Sequence, residues 1–147
     1  MIIREFTERD IDEITQLMKK LCSLKDQDFD ETRWRMSLEK HMREDTNTEV
    51  LVAFDKDTNT VAGMAFASIK NSEKGFRFGY LSNLIVKEEA RRSGIGETIL
   101  AHTIDYFKRH HVDSIRLSLA PQITNGAKKL LAKFGFEEIF KIYELRI

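Results

Sequence analysis

A chain of 147 residues with 41% apolar side chains holds one hydrophobic core and reads as a single domain over residues 1–147. Its 24 basic and 24 acidic residues cancel, which argues against a nucleic-acid-binding surface, and ten Phe spread among many Ile and Leu argue against disorder.

The opening Met1-Ile2-Ile3-Arg4-Glu5-Phe6 reads as a short strand over 2–6 and turns polar at once, unlike a signal peptide. No apolar run approaches the roughly 18–20 residues of a membrane span, so a cytoplasmic protein without membrane contact is expected. Thr7-Glu8-Arg9-Asp10 has the spacing of a capping box, and Ile11, Ile14, Leu17, Met18, Leu21 and Cys22 follow on one face of a helix. Cys22 is the only cysteine; it forms no intrachain disulfide and reads as a small buried hydrophobe. A polar connection over 24–30 leads to a second helix, marked by Trp34, Leu38 and Met42 at i, i+4 spacing.

Residues 49–54 and 60–69 are β-rich runs joined by the turn cluster Asp55-Lys56-Asp57-Thr58-Asn59, and 76–86 is a third long strand. Strict alternation puts Phe76, Phe78, Tyr80, Ser82, Leu84 and Val86 on one face of it, and Arg77, Gly79, Leu81, Asn83 and Ile85 on the other. A helix is expected over 94–110 from Ile95, Ile99, Ile104 and Phe107, then a strand over 114–119, a short helix over 125–134 and a final extended segment over 136–146. This order is neither regular βαβ alternation nor a separated all-β block, so it predicts an α+β sheet. The helix between strands 76–86 and 114–119 makes those two parallel neighbours or near neighbours.

Between strand 76–86 and its following helix lies Arg91-Arg92-Ser93-Gly94-Ile95-Gly96. Two glycines at a helix start let backbone N–H groups crowd around an anion, and the helix dipole adds positive potential. A dinucleotide fingerprint wants a third glycine where Ile99 stands, and a P-loop wants Gly-Lys-Ser/Thr where Gly96 is followed by Glu97-Thr98. Both fit badly. The stretch resembles instead the pyrophosphate loop of the acetyl-CoA-dependent N-acetyltransferases of the GNAT superfamily, Arg/Gln-x-x-Gly-x-Gly/Ala, with Arg91, Gly94 and Gly96 in the fixed positions. Nearly the whole chain shares the likeness. Ile3, Arg4, Asp10, Ile11 and Ile14 look like the family's start, and Ala127, Leu130 and Phe134-Gly135-Phe136 are similar to its later helix with a Gly-Phe close.

The resemblance implies a mixed, mostly antiparallel sheet with helices on both faces and a splayed parallel strand pair. It implies acetyl-CoA as co-substrate, its pantetheine arm pairing with backbone of Leu84, Ile85 and Val86 as a false strand. It also implies that amides from Arg92 through Glu97 (Arg92, Ser93, Gly94, Ile95, Gly96, Glu97) take the pyrophosphate, with Arg92 supplying charge and the Glu97 side chain turned away. Homodimerisation is compatible with the family.

Acetyl transfer to an amine needs an unprotonated amine, a donor for the oxyanion and a proton for the departing thiolate. Here the sequence departs from the family: the position of its tyrosine acid is Leu131, its helix-start asparagine falls at Thr124 with Asn125 one residue late, and its strand carboxylates fall at Ser82 and Asn83. Asn83 or Ser82 is a candidate to hold a relaying water, Tyr143 on the last strand to reach the thiolate, and Asn125 to contact the pantetheine arm. Each has a structural rival: Ser82 facing the core, Tyr143 half-buried in the sheet, and Leu131 in the core beside Ala127 and Phe134. Catalysis by positioning alone is the remaining route.

On the acceptor side, 25–31 carries four acids and one base, with Trp34 close behind. It reads either as a rim favouring a cationic amine or as a solvated loop with a helix cap at Asp30. His110 and His111 suit a helix C-terminus better than a metal site, His41 reads as an exposed helix residue, and no metal is expected. Three functions stay open: N-acetylation of a small or peptidic primary amine, a CoA-binding regulatory or interaction module without catalysis, and protein lysine or N-terminal acetylation.

Overall fold

The computed structural model describes residues 1–44, 47–91, 93–119 and 125–147, Asn125 by its backbone alone. Five strands form one sheet: β1 (Ile2–Glu5), β2 (Thr48–Asp55), β3 (Thr60–Asn71), β4 (Arg77–Val86) and β5 (Ser114–Leu117), in spatial order β1-β2-β3-β4-β5. The first three pairings are antiparallel and β4–β5 is parallel, as the intervening helix requires. Helices α1 (Ile11–Leu24) and α2 (Glu31–Arg43) cover one face, through Ile14, Leu17, Leu21 and Leu38 against Val50, Val52, Met64 and Ile85. Helices α3 (Ile95–Arg109) and α4 (Asn125–Lys133) cover the other, where Ile99 and Leu100 meet Ala53, Ala65 and Leu81, and Phe107 meets Leu51, Ala67 and Ile69. Small residues on β2 and β3 on that side bring α3 close to the strands. Gly79 goes furthest: a Cβ there would stand 2.5 Å from the Phe107 ring.

Asp10 does the work the capping box promises. Thr7 N–H donates to its Oδ2 at 2.8 Å, and Arg4 reaches both its oxygens, at 2.7 and 3.2 Å, tying β1 to the start of α1. Burial pushes the Asp10 carboxyl up, but the Arg4 hydrogen bond, the Thr7 N–H and the Arg4 charge outweigh it and hold it below the usual carboxylate range. A lowered folded value means that the stabilisation is complete above the unfolded value near ~4 and disappears as pH falls through the folded one. Asp10→Asn is expected to cost about 1–3 kcal/mol at neutral pH. The variant's deficit should shrink in acid, measured as the gap in urea midpoints between the two proteins from pH 7 down to pH 3.

Two expectations need correction. Strict alternation along β4 breaks at a bulge: Phe66 pairs with Ser82 and Met64 with Ile85, so Asn83 and Leu84 together face the single residue Ala65. Beyond it, Leu84 and Val86 pack on the α3 side and Ile85 on the α1 side, the reverse of simple parity. Asn83 sits in the left-handed region at φ 53°, where asparagine is among the better tolerated non-glycine residues. The expected final strand over 136–146 is also not formed. The chain beyond α4 has no regular secondary structure or ladder pairing, and residues 137–147 are exposed, so the segment does not pack alongside β5. Among the described residues, no helix is long and apolar enough to cross a membrane.

Candidate active site

The parallel pair β4–β5 stays in register only from Phe78↔Ser114 to Leu81↔Leu117. β4 then continues through the bulge to Val86 with β3 on one side and, among the described residues, no strand on the other. The edge of Ser82–Val86 that faces away from β3 is therefore a row of backbone groups open to an extended ligand. Leu84, Ile85 and Val86, the residues that the resemblance assigns to the pantetheine arm, lie on this stretch.

The loop after β4 aims the next helix at that opening. Lys87 N–H donates to Ala62 O at 2.8 Å, and a short 3-10 turn, Glu88–Ala90, reverses the chain. Arg91 Nε donates to Val86 O at 3.3 Å and Ser93 Oγ to Ala90 O, folding the loop back on the end of the strand. Arg92 lies outside the described residues. Gly94 then adopts φ 79°, with open space around it, and serves as N-cap of α3 without any side chain to cap the helix. Helix geometry leaves the first N–H groups, those of Ile95, Gly96 and Glu97, without intrahelical acceptors. Their dipole end faces solvent beside the open edge of β4. Gly63 on β3, paired with Val86, permits this approach: a Cβ there would meet Ile85 O at 3.0 Å and Ile99 Cδ1 at 3.1 Å. The Glu97 carboxylate is held by Lys133 Nζ of α4, so its charge is turned to that helix.

The residues present thus fit an extended thioester arm ending in a pyrophosphate: an unpaired strand edge for the arm, then uncapped amides with no acidic side chain at the cap for the phosphates. Ser82 is half-buried on the α1–α2 face opposite Phe66, and half-buried Asn83 forms the bulge at the mouth of the opening. Both lie on the stretch of β4 that leads into the loop. Tyr143 is not: it sits on no strand and is 89% exposed. Asn125 starts α4, and its side chain lies outside the described residues. Leu131 packs among the apolar residues on the α3 side with Leu130 and Phe134.

Near Ser82 on the α1–α2 face, Trp34 tilts against Phe66 at 5.6 Å and against Phe29 at 6.3 Å, and its Nε1–H donates to Thr15 Oγ1 at 2.9 Å. Two of the four acids of 25–31 have local structural duties. Asp30 Oδ1 caps α2 by accepting from Arg33 N–H at 3.1 Å, and Glu31 pairs with Arg35. Asp26 and Asp28 are exposed at the rim. His41 departs from the expectation of an exposed residue: it is half-buried, with Nε2 3.2 Å from Glu5 Oε1 and its ring beside Phe6. His110 Nδ1 lies 2.9 Å from Tyr106 O.

The features that sequence reasoning missed are the β4 bulge at Asn83 and the close approach at Gly63. A polar residue known to tolerate positive φ, set inside an apolar run, was the available signal for the first.

Residues 11–136 match the Acetyltransferase (GNAT) family. No curated protein matches the chain. Among solved structures, a probable acetyltransferase is similar at 25% identity and a TM-score of 0.82, covering 100% of this chain and 98% of that one. Glucosamine-6-phosphate N-acetyltransferase from Arabidopsis thaliana has 12% identity and a TM-score of 0.79, over 99% and 97%. A predicted acetyltransferase from Clostridium acetobutylicum, solved with acetyl-CoA, has 16% identity and a TM-score of 0.72, over 99% and 95%. A family match across most of the sequence agrees with a parallel strand pair in which β4 outruns β5 ahead of an uncapped helix start: the chain belongs to the GNAT acetyltransferase family, whose acetyl donor is acetyl-CoA.

Proposed function

We propose that this protein transfers acetyl from acetyl-CoA to the primary amine of a small molecule or peptide. The observation that carries this reading is the end of the β4–β5 ladder at Leu81 and Leu117 while β4 runs on to Val86, ahead of the start of α3 at Gly94. Acetyl-CoA supplies an activated thioester. The free edge of Leu84, Ile85 and Val86 aligns the arm, and the amides of the Arg91–Glu97 loop, with the Arg92 side chain, hold the pyrophosphate. The amine enters from the α1–α2 side, past Trp34, Phe66 and the exposed carboxylates of Asp26 and Asp28, which favour a cationic acceptor. In this reading Ser82 or Asn83, beside the bulge, holds a water that relays the amine's proton outward to bulk solvent. Alignment of the two reactants supplies much of the rate.

Asn83→Gly isolates the side chain from the backbone, because glycine keeps the positive φ that the bulge needs. Turnover is expected to fall by about 10²-fold, the lower end of proton-transfer catalysis, with acetyl-CoA affinity unchanged. Equal turnover in the variant would remove Asn83 from the chemistry. A panel of amines assayed for CoASH release tests the activity itself. The packing of Leu131 where the family carries its tyrosine favours one rival, a CoA-binding module without catalysis. That rival predicts acetyl-CoA binding and no turnover on any amine.

A further inference from the structure

Acetyl transfer leaves one proton to be assigned. When the C–S bond of the thioester breaks, its electron pair departs on sulfur, and a proton supplied there lowers the barrier. The chain has three tyrosines. Tyr143 is 89% exposed on a segment without ladder pairing. Tyr106 lies near the far end of α3, roughly 16 Å along the helix from its start, with its ring against Phe107 and His110. Tyr80 is different.

Tyr80 sits on β4 with Arg116 of β5 as its Cα partner. Its hydroxyl does not stay on that rung. Oη lies 3.1 Å from the Oγ of Ser118, two residues further along. The β4–β5 ladder ends with Leu81 beside Leu117, so Ser118 is the first residue past it, and the hydroxyl stands at about the level of Ser82. That is where the free edge of β4 begins. Arg116 turns the other way, its guanidinium over the rings of Phe78 and Phe76 at 4.7 and 5.1 Å. The Tyr80 ring is half-buried on the α1–α2 face, which it shares with Ser82, while Ser118 is exposed. A thioester arm anchored at the loop after Val86 runs back along the free edge, so its reactive end arrives at the Ser82 end. A phenol is by class a far stronger acid than an aliphatic hydroxyl. Of the hydroxyls at this level of the sheet, those of Tyr80, Ser82 and Ser118, that of Tyr80 is the one suited to give up a proton.

We propose that Tyr80 is the proton donor to the departing CoA thiolate and that Ser118 orients and recharges its hydroxyl, an assignment that rests on the acetyl-transfer reading. With Ser118 Oγ–H donating to Tyr80 Oη, the phenolic proton is left for the ligand on the β4 edge. The amine lone pair forms the C–N bond at the thioester carbon, and collapse of the tetrahedral intermediate breaks C–S. Tyr80 Oη–H gives its proton to sulfur as that bond breaks, leaving a phenolate and CoASH. The phenolate regains a proton from water through exposed Ser118, and the acceptor nitrogen loses one to solvent. The sum is amine plus acetyl-CoA giving amide plus CoASH.

The test uses the full chain with acetyl-CoA and the fastest amine of a panel holding spermidine, tyramine and a lysine-containing tripeptide. Tyr80→Phe keeps the ring and removes the hydroxyl, so circular dichroism should not change. Its kcat should fall about 100-fold while acetyl-CoA affinity, by calorimetric titration, stays within about twofold. Ser118→Ala leaves the phenol in place and should cost about fivefold, the worth of one neutral hydrogen bond. The seleno analogue of acetyl-CoA separates proton donation from positioning, because a selenolate is a weaker base than a thiolate and leaves without a proton. With that donor the Tyr80→Phe deficit should shrink below about tenfold. An equal deficit with both donors overturns the inference, since a merely structural role slows them alike. So does a Tyr80→Phe variant as fast as wild type, and either result leaves the acetyl-transfer reading standing. A wild-type chain that binds acetyl-CoA and turns over no amine removes both.

Discussion

Gly94→Asp combined with Arg92→Glu is expected to lower acetyl-CoA affinity by about 100-fold or more while leaving the protein folded. The first change puts a carboxylate at the N-cap of α3, on the solvent side where a pyrophosphate oxygen would sit. Like charges brought together in a binding site cost several kcal/mol, and about 2.7 kcal/mol already makes 100-fold. The fold should hold because the cost is local: a non-glycine residue at φ 79° costs about 1–2 kcal/mol, and the position has open space around it. Calorimetric titration of acetyl-CoA, with thermal melts of both proteins alongside, makes the check. Wild-type affinity in a folded double variant would detach the loop from the donor. Gly96→Ala is the matched control: a Cβ there meets only Val86 Cγ2 at 3.8 Å, an ordinary contact, so affinity should change little.

The second large effect lies in the fold. Gly79→Ala would place a methyl 2.5–2.7 Å from three atoms of the Phe107 ring, closer than carbon atoms approach. Phe107 is completely buried and enclosed by Leu51, Ala67 and Ile69, so the ring has nowhere to go without opening the cluster. Overpacking of this kind costs about 1–3 kcal/mol, partly offset by the lower unfolded-state entropy of alanine. A net loss of about 2 kcal/mol corresponds to a fall in melting temperature of roughly 5–10 °C. Trimming the ring in Gly79→Ala with Phe107→Leu should recover part of it. A Gly79→Ala melt unchanged from wild type would show that α3 rides less tightly on β4 than this contact requires. Because Gly79 pairs with Ile115, the damage would also reach the β4–β5 ladder.

Most of the element order was legible because it rests on periodicity. The stripes of α1 and α3 and the turn cluster after β2 are local signals, and each element begins within a few residues of where the pattern puts it. The α3 start was legible from the two glycines together with the apolar stripe that follows them. The β4 face was not, since a bulge is a negotiation between two strands: only the register against Ala65 reveals that Asn83 and Leu84 share one partner. Nor was the fate of residues 137–147, whose β-rich composition is the same whether the segment pairs in its own sheet or elsewhere. Composition reports that a strand wants covering, not by what. The acidic stretch before α2 was legible as two alternatives, a charged rim or a solvated loop capped at Asp30. Asp30 does cap α2, as the second alternative has it, while the ion pair of Glu31 with Arg35 is visible only in the fold.

Trp34 is the chain's only tryptophan, and its setting has a practical consequence. Its indole is anchored to α1 through Thr15 and leans on Phe66, whose sheet neighbour is Ser82. Intrinsic ultraviolet emission therefore arises from one indole, seated on the side of the sheet where an acceptor would approach. Unlabelled protein carries a built-in optical gauge there, while the donor cradle on the far side of β4 holds no tryptophan to confuse the signal.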